Sequence, residues 1–198
     1  MQEKEIIEER IRQQKEQYTE IETGMYVCGD IIKFKHIYLF DESLSMMVPE
    51  EFIEMPMNFQ RVKYPSEYRP QIIMTSMNLG VNLGLTLFSQ KTDEKEVRVI
   101  LESIKNIIKK SYPDYRFFKK EYKKNERQPY GWFDFRSYAF DDAVYNIHFV
   151  MLIGKNILQG CFNCPYAMAE DWKKAMLQML KSIKKTEGTE FERKQNYN

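Results

Sequence analysis

The amino-acid sequence predicts an α+β fold, a central antiparallel β-sheet of about six strands flanked by helices. Strand-patterned segments come in runs, within 31–56, 71–90 and 115–162, rather than alternating with helices. Only two segments, 93–111 and 168–185, have the amphipathic spacing of a core helix. Short turns join the segments of each run, which suits antiparallel neighbours and not parallel ones.

Taken in order, residues 1–22 are dense in Glu, Gln, Lys and Arg and favour helix. Their apolar stripe is thin, only Ile7, Ile11 and Tyr18, and Gly24 ends the segment. Residues 1–24 therefore read as a charged helical arm, either solvated or paired with a partner. "IIKFKHIYLF" (31–40) is β-branched and aromatic, and "SLSMMVPEEFIEMP" (43–56) carries a second strand closed by Pro49. "YPSEYRP" (64–70) is a proline-bracketed loop. "QIIMTS" and "VNLGLTLFSQ" form a hairpin around Asn78–Gly80, with Val81, Leu83, Leu85 and Leu87 on one buried face. Asp93 and Glu96 open a helix as a capping-box-like pair; Val97, Ile100, Leu101, Ile104, Ile107 and Ile108 share a face, and Pro113 stops it.

"YRFFKKEYKK", "GWFDFRSYAF", "AVYNIHFVMLI" and "NILQGCF" follow as strands, the last three a meander turned by "FDDA" (140–143) and "GKN" (154–156). Tyr145, Ile147, Phe149, Met151 and Ile153 face one way. The closing helix, 168–185, turns Met168, Trp172, Ala175, Met176, Met179, Leu180 and Ile183 inward. Glu170 and Asp171 lie in its first turn and Lys181, Lys184 and Lys185 in its last, as the helix dipole prefers. The expected organisation is an arm (1–24), one α+β domain (25–185) and a flexible tail (186–198).

The composition narrows the function. A chain of 198 residues with net charge +1 is one domain by length and has no bulk attraction for nucleic acid or a membrane surface. No apolar run approaches the ~20 residues of a membrane span. "MQEKEIIEERIRQQKEQ" has no apolar signal core, so the expectation is a cytoplasmic protein. Twelve methionines read first as adaptable core filler and second as a binding surface. Charge is uneven: residues 41–54 hold five acids and no base, and 105–127 hold nine Lys or Arg against three acids. Aromatic residues interleave that basic stretch, a pattern that serves single-stranded nucleic acid, although lysines on an edge strand also discourage aggregation. The edge-strand reading is preferred and nucleic acid is the alternative.

The candidates for chemistry are few. Cys161 and Cys164 form a Cys-x-x-Cys ahead of a helix, the layout of a thiol-redox site. In an extended strand, residues three apart point to opposite faces about 10 Å apart, whereas a disulfide needs Cα atoms within about 7 Å. The pair can bridge only if the chain turns at Phe162–Asn163, so redox use of Cys161 and Cys164 is the alternative reading. Three cysteines build no disulfide framework, and Cys28, His36 and His148 share no ligand spacing with the pair, so neither metal nor cofactor is expected. His148 lies opposite the apolar face of its strand, exposed or hydrogen-bonded under a helix. Asp141–Asp142 fit a hairpin turn and are given no acid–base role. No enzyme activity is expected.

"LFDESLSMMVPEEFIEMP", "GWFDFRSYAFDDAVYNIHFVMLIGKNILQGCFNCP" and "AEDWKKAMLQMLKSI" together resemble the opening strand pair, long antiparallel strands and closing helix of the PsbP-like superfamily, which includes bacterial DcrB-like proteins. The resemblance spans about residues 37–185. It implies a PsbP-like α/β/α sandwich and an accessory protein that binds other proteins without a catalytic site, as DcrB-like adaptors and chaperones of secreted effectors do. On that basis the expectation is a non-enzymatic intracellular protein-binding module. Trp132, Tyr138 and Tyr145 are expected as exposed anchors. The partner is a protein of unknown identity, with a homodimer through residues 1–24 as a further expectation.

Overall fold

A computed structural model describes residues 2–89, 92–124, 126–139 and 142–186. In chain order they form α1 (Gln2–Gln17), β1 (Thr19–Glu20), β2 (Gly24–Val27), β3 (Asp30–Ile32), β4 (Phe34–Leu39), β5 (Leu44–Pro49), β6 (Ile53–Glu54) and α2 (Met57–Lys63). Then come β7 (Ile72–Thr75), β8 (Asn82–Phe88), α3 (Glu94–Ser111), β9 (Arg116–Lys123), β10 (Tyr130–Tyr138), β11 (Ala143–Ile153), β12 (Asn156–Pro165), a 3-10 turn (Tyr166–Met168), α4 (Ala169–Ser182) and β13 (Lys184–Lys185). The chain divides into two compact units, residues 51–169 and residues 1–50 with 170–198. None of its described helices is long and apolar enough to cross a membrane.

The unit of residues 51–169 is built on a seven-stranded sheet, ordered β6-β7-β8-β12-β11-β10-β9. Every neighbouring pair is antiparallel. The expected sheet is thus present, with short β6, beyond the Pro49 that closes the preceding strand, as an edge strand the sequence pattern did not mark. The hairpin around Asn78–Gly80 is found as expected, with Thr75 opposite Asn82. Ala139 N–H donates to the Asp142 carbonyl at 2.7 Å between β10 and β11; Phe140 and Asp141 of the expected turn lie outside the described residues.

α3 starts where the capping signal placed it. Asp93 is extended, and its carboxylate accepts from the N–H groups of Lys95 and Glu96 at 2.8 and 3.3 Å, satisfying two of the helix's free donors. Val97 and Leu101 are buried in a core with Phe133, Phe135, Val150 and Ile157, and Ile100, Ile104 and Ile108 pack against it. Ile107 is exposed, contrary to expectation. At about 100° per residue it lies roughly 80° from the middle of that stripe, beyond the sheet's reach.

The other unit carries a small sheet, β1-β2-β3, and a second one, β13-β5-β4, with helices α1 and α4. Side chains of α4 bind the strands directly. Gln178 accepts from Ile21 N–H at 3.0 Å and donates to the Thr19 carbonyl at 2.8 Å, and the Ser182 hydroxyl accepts from Met47 N–H at 2.9 Å. Trp172, Ala175, Met176, Met179 and Leu180 are buried as the periodicity required. α4 stops at Ser182 rather than 185. Ser182 donates back to the Met179 carbonyl, and Lys184 and Lys185 pair with Ser45 and Leu44 at the edge of β5. A free strand edge offered those two residues ladder hydrogen bonds that a fraying helix end could not. α1 is exposed almost throughout, Ile6 and Ile7 included. Met25, Met46, Met47, Met176 and Met179 of this unit are buried, as are Met55, Met74 and Met151 of the other, which fits core filling.

Candidate functional site

The two faces of the seven-stranded sheet differ in chemistry. On one, Tyr145, Ile147, Phe149 and Met151 of β11 alternate with Leu158, Phe162 and Cys164 of β12, all buried. On the other, α3 covers Phe133, Phe135, Val150 and Ile157. Beside that patch the same face turns polar: Asn146 and His148 of β11 lie opposite Asn163 and Cys161 of β12, and these opposite Asn82 and Gly84 of β8. Residues 64–71 border this polar half, leaving a cavity of about 560 Å³ in the range of small-molecule sites.

Two devices hold residues 64–71 there. Pro70 comes so close to Gly84 that a β-carbon on Gly84 would lie 2.7 Å from Pro70 Cγ and 3.1 Å from Cys161 Sγ; only glycine admits that approach. A hydrogen-bond ladder then crosses three strands. The Thr75 hydroxyl donates to Asn82 Oδ1 (2.8 Å), Asn82 Nδ2 to Asn163 Oδ1 (2.8 Å), and Asn163 Nδ2 to the Tyr64 hydroxyl (3.2 Å). Burial raises the Tyr64 phenol well above its usual range, with the Cys161 sulfur adding and the Asn163 amide opposing.

His148 forms the floor. Its ring stacks on Phe133 with centroids 5.7 Å apart, and Nδ1 is enclosed without a hydrogen-bond partner. It is neither exposed nor hydrogen-bonded through that nitrogen, the two arrangements the strand pattern suggested. Burial pushes its pKa down to about 4. Because the folded value lies below the unfolded one, the unfolded chain binds more protons between them and stability falls with pH. We expect residues 51–169 to lose about 2 kcal/mol between about pH 7.5 and about pH 5 through this group. Urea titration followed by Trp132 fluorescence checks it: His148→Gln must flatten the acid limb, and an unchanged limb refutes the assignment.

The cysteines do not form a pair. β12 runs unbroken from Asn156 to Pro165, so the turn at Phe162–Asn163 that a bridge requires is missing. Cys161 lies opposite His148 on the cavity face, and Cys164 is buried opposite Tyr145 on the other. Burial pushes the Cys161 thiol up to about 11, with a Gly84 backbone hydrogen bond opposing, so it is not a thiolate at neutral pH. Among the described residues no three His, Cys, Asp or Glu side chains are grouped to hold a metal.

Of the expected anchors, Trp132 and Tyr145 are 2% and 3% exposed, and their expected exposure is corrected. Both alternate onto the apolar face. Tyr145 donates through its hydroxyl to Asp134 Oδ2 at 2.7 Å, and Asp134 Oδ1 accepts from Lys119 N–H at 2.6 Å. Asp134 sits where the β9–β10 register shifts, so its carboxylate supplies an acceptor at the irregularity; the sequence reading overlooked it.

Tyr138, at 44% exposed, fits its expectation. It belongs to a continuous run of rings at the β9–β10 end of the sheet. Tyr112 stacks on Tyr115 (4.7 Å), Tyr115 neighbours Tyr138 (6.5 Å), and the Arg136 guanidinium lies over Tyr138 (5.1 Å) and Tyr166 (4.4 Å), whose ring meets Phe118 (6.4 Å). Tyr112, Phe118 and Tyr138 are exposed. The lysines along this edge are partly engaged: Lys120 with Glu102, Lys123 with Glu121 at 2.8 Å and Lys124 with Glu94 at 3.5 Å. Those acids lower the charge a nucleic-acid backbone would meet.

An antiparallel seven-stranded sheet with four helices defines an α+β protein of PsbP-like fold. The solved structures agree. Cyanobacterial PsbP (CyanoP) from Synechocystis sp. PCC 6803 superposes with a TM-score of 0.59 at 8% identity, covering 82% of this chain and 98% of that one. LpqN, involved in cell envelope biogenesis of Mycobacterium tuberculosis, superposes with a TM-score of 0.54 at 11% identity, covering 81% and 95%. No family model and no curated protein sequence matches the chain.

Proposed function

We propose that the protein is a non-enzymatic protein-binding module, an adaptor or chaperone in the manner of the DcrB-like proteins, with its contact surface at the β9–β10 end of the sheet. The observation that supports this reading is the ring run from Tyr112 through Tyr138 and Arg136 to Phe118. Tyrosine and arginine are the side chains that most often dominate interface energy, because each buries a large rigid area and still offers a polar group. Stacking has already removed much of their rotamer freedom, which lowers the entropy lost on docking. Arg136 Nε is enclosed without a hydrogen-bond partner.

A photo-crosslinking amino acid at position 138, in extract of the native host, is expected to yield one discrete protein adduct. The same group at Tyr38, exposed but in the other unit, is expected to yield none. With the captured partner in hand, Arg136→Ala should weaken binding about tenfold or more by calorimetry. Equal, indiscriminate labelling from both positions, or none from 138, overturns the reading.

A further inference from the structure

The cavity bordered by residues 64–71 lies apart from the ring run and is a second candidate for binding. Among the described residues, its lining carries one formal positive charge, Arg69, and no carboxylate; the remaining side chains are tyrosines, amides, Phe88, Pro70, Thr86, Cys161 and His148. Arg69 Nη1 is enclosed without a hydrogen-bond partner, and so is His148 Nδ1. An enclosed polar atom without a partner is costly to a fold and calls for an explanation in a native structure. Both atoms belong to residues that line one cavity.

The lining sorts its own chemistry. The Asn163 amide is committed at both ends, to Asn82 and Tyr64, and Asn146 Nδ2 is committed to the Ser137 hydroxyl at 2.8 Å. Recognition therefore falls to Arg69 and His148, with the Gln159 amide beside them. A planar guanidinium with no carboxylate beside it selects an oxyanion that can take two parallel N–H bonds. His148 is uncharged at neutral pH, so it contributes no second charge. Tyr64 and Phe88 supply aromatic surface, and Gly84 leaves the floor flat beneath Pro70.

We propose that this cavity binds a small aromatic oxyanion, a ring-bearing carboxylate or phosphate ester whose charged group meets the Arg69 guanidinium and whose ring lies against the His148 side chain. Nothing in this proposal depends on the protein-binding surface, so either can fail alone.

NMR titration of the full chain, observed on both ligand and protein, tests it with 4-hydroxybenzoate, 4-hydroxyphenyl phosphate and neutral 4-hydroxybenzamide. At least one anion is expected to saturate below the millimolar range, at least about tenfold tighter than the amide, with the His148 ring resonances shifting as it does. Whichever anion binds more tightly identifies the source as a carboxylic acid or a phosphate ester. Arg69→Gln should weaken both anions about tenfold or more and leave the amide unchanged. Should that variant fail to fold, Arg69→Lys carries the test, since it keeps the charge and loses the planar fork, and should weaken the anions several-fold. Failure of both anions to bind, parity between anions and amide, or unchanged anion affinity in the Arg69 variants overturns the proposal.

Discussion

Asp134→Ala is expected to destabilise residues 51–169 by about 4 kcal/mol, the largest effect of any single side chain considered. Asp134 is fully buried and its two oxygens accept from two different elements, the Lys119 N–H of β9 and the Tyr145 hydroxyl of β11. Removing it takes this acceptor from the buried Tyr145 hydroxyl and the part-buried Lys119 N–H and opens a void between them. Burial first, and the Asp134 carboxylate second, already raise the Tyr145 phenol far above its usual range, so the tyrosine cannot compensate by ionising. Asp134→Asn should cost less, because one oxygen remains while the new amide N–H faces a donor. The decisive measurement is a double-mutant cycle with Tyr145→Phe in urea. Once Tyr145→Phe has removed one donor, Asp134→Ala must cost at least about 1 kcal/mol less than in the native background. Additive losses would show that the hydroxyl–carboxylate bond contributes nothing.

The second large effect is expected at Gly160, where alanine should cost about 3 kcal/mol. The ring of Phe149, directly opposite on β11, lies against the bare Cα. A β-carbon there would sit 2.2 Å from Cζ, 2.4 Å from Cε1 and 2.9 Å from Leu85 Cδ2. Phe149 is fully buried and stacks on Phe162 at 5.5 Å, so it has nowhere to move. Phe149→Leu in the Gly160→Ala background should recover part of the loss, since a shorter side chain vacates the overlap. A Gly160→Ala protein as stable as the native one would refute the packing account. Each compact unit holds one of the two tryptophans, Trp132 in residues 51–169 and Trp172 in the other. Trp172→Phe therefore isolates the signal of the unit being tested, which matters because separate units need not unfold together.

Much of this architecture is legible in local chemistry. Period-two alternation in 81–87 and 143–153, turn residues at Asn78–Gly80, the Asp93 cap and the stripe from Val97 to Ile108 each rest on interactions within a few residues. Such interactions can be read along the chain. The misreadings cluster where a distant strand intervened. Alternation places Trp132 and Tyr145 on a common face but does not reveal that this face is buried, because Trp, Tyr and an interleaved Asp134 read as amphipathic rather than apolar. Lys184 and Lys185 continue a helical charge pattern, yet the edge of β5, some 140 residues earlier, draws them into a ladder. A signal for the cavity was present and unread: in β11 and β12 the face opposite the apolar one carries, beside the apolar Val150, Leu152 and Ile157, a polar stretch of Asn146, His148, Gln159, Cys161 and Asn163 that a helix with an apolar stripe does not cover.

By itself the sequence determined the class of fold, the antiparallel hairpins, the capped helix and the residues of each strand that share a face. All of these follow from backbone geometry and side-chain type at separations of a few residues. The tertiary structure alone decided strand order, the bulge that admits Asp134, the unbroken course of β12 that parts Cys161 from Cys164, and the meeting of Pro70 with Gly84 that shapes the cavity. Those depend on contacts between residues far apart in the chain, whose free energy is settled by packing and desolvation in three dimensions and leaves no periodic trace along it.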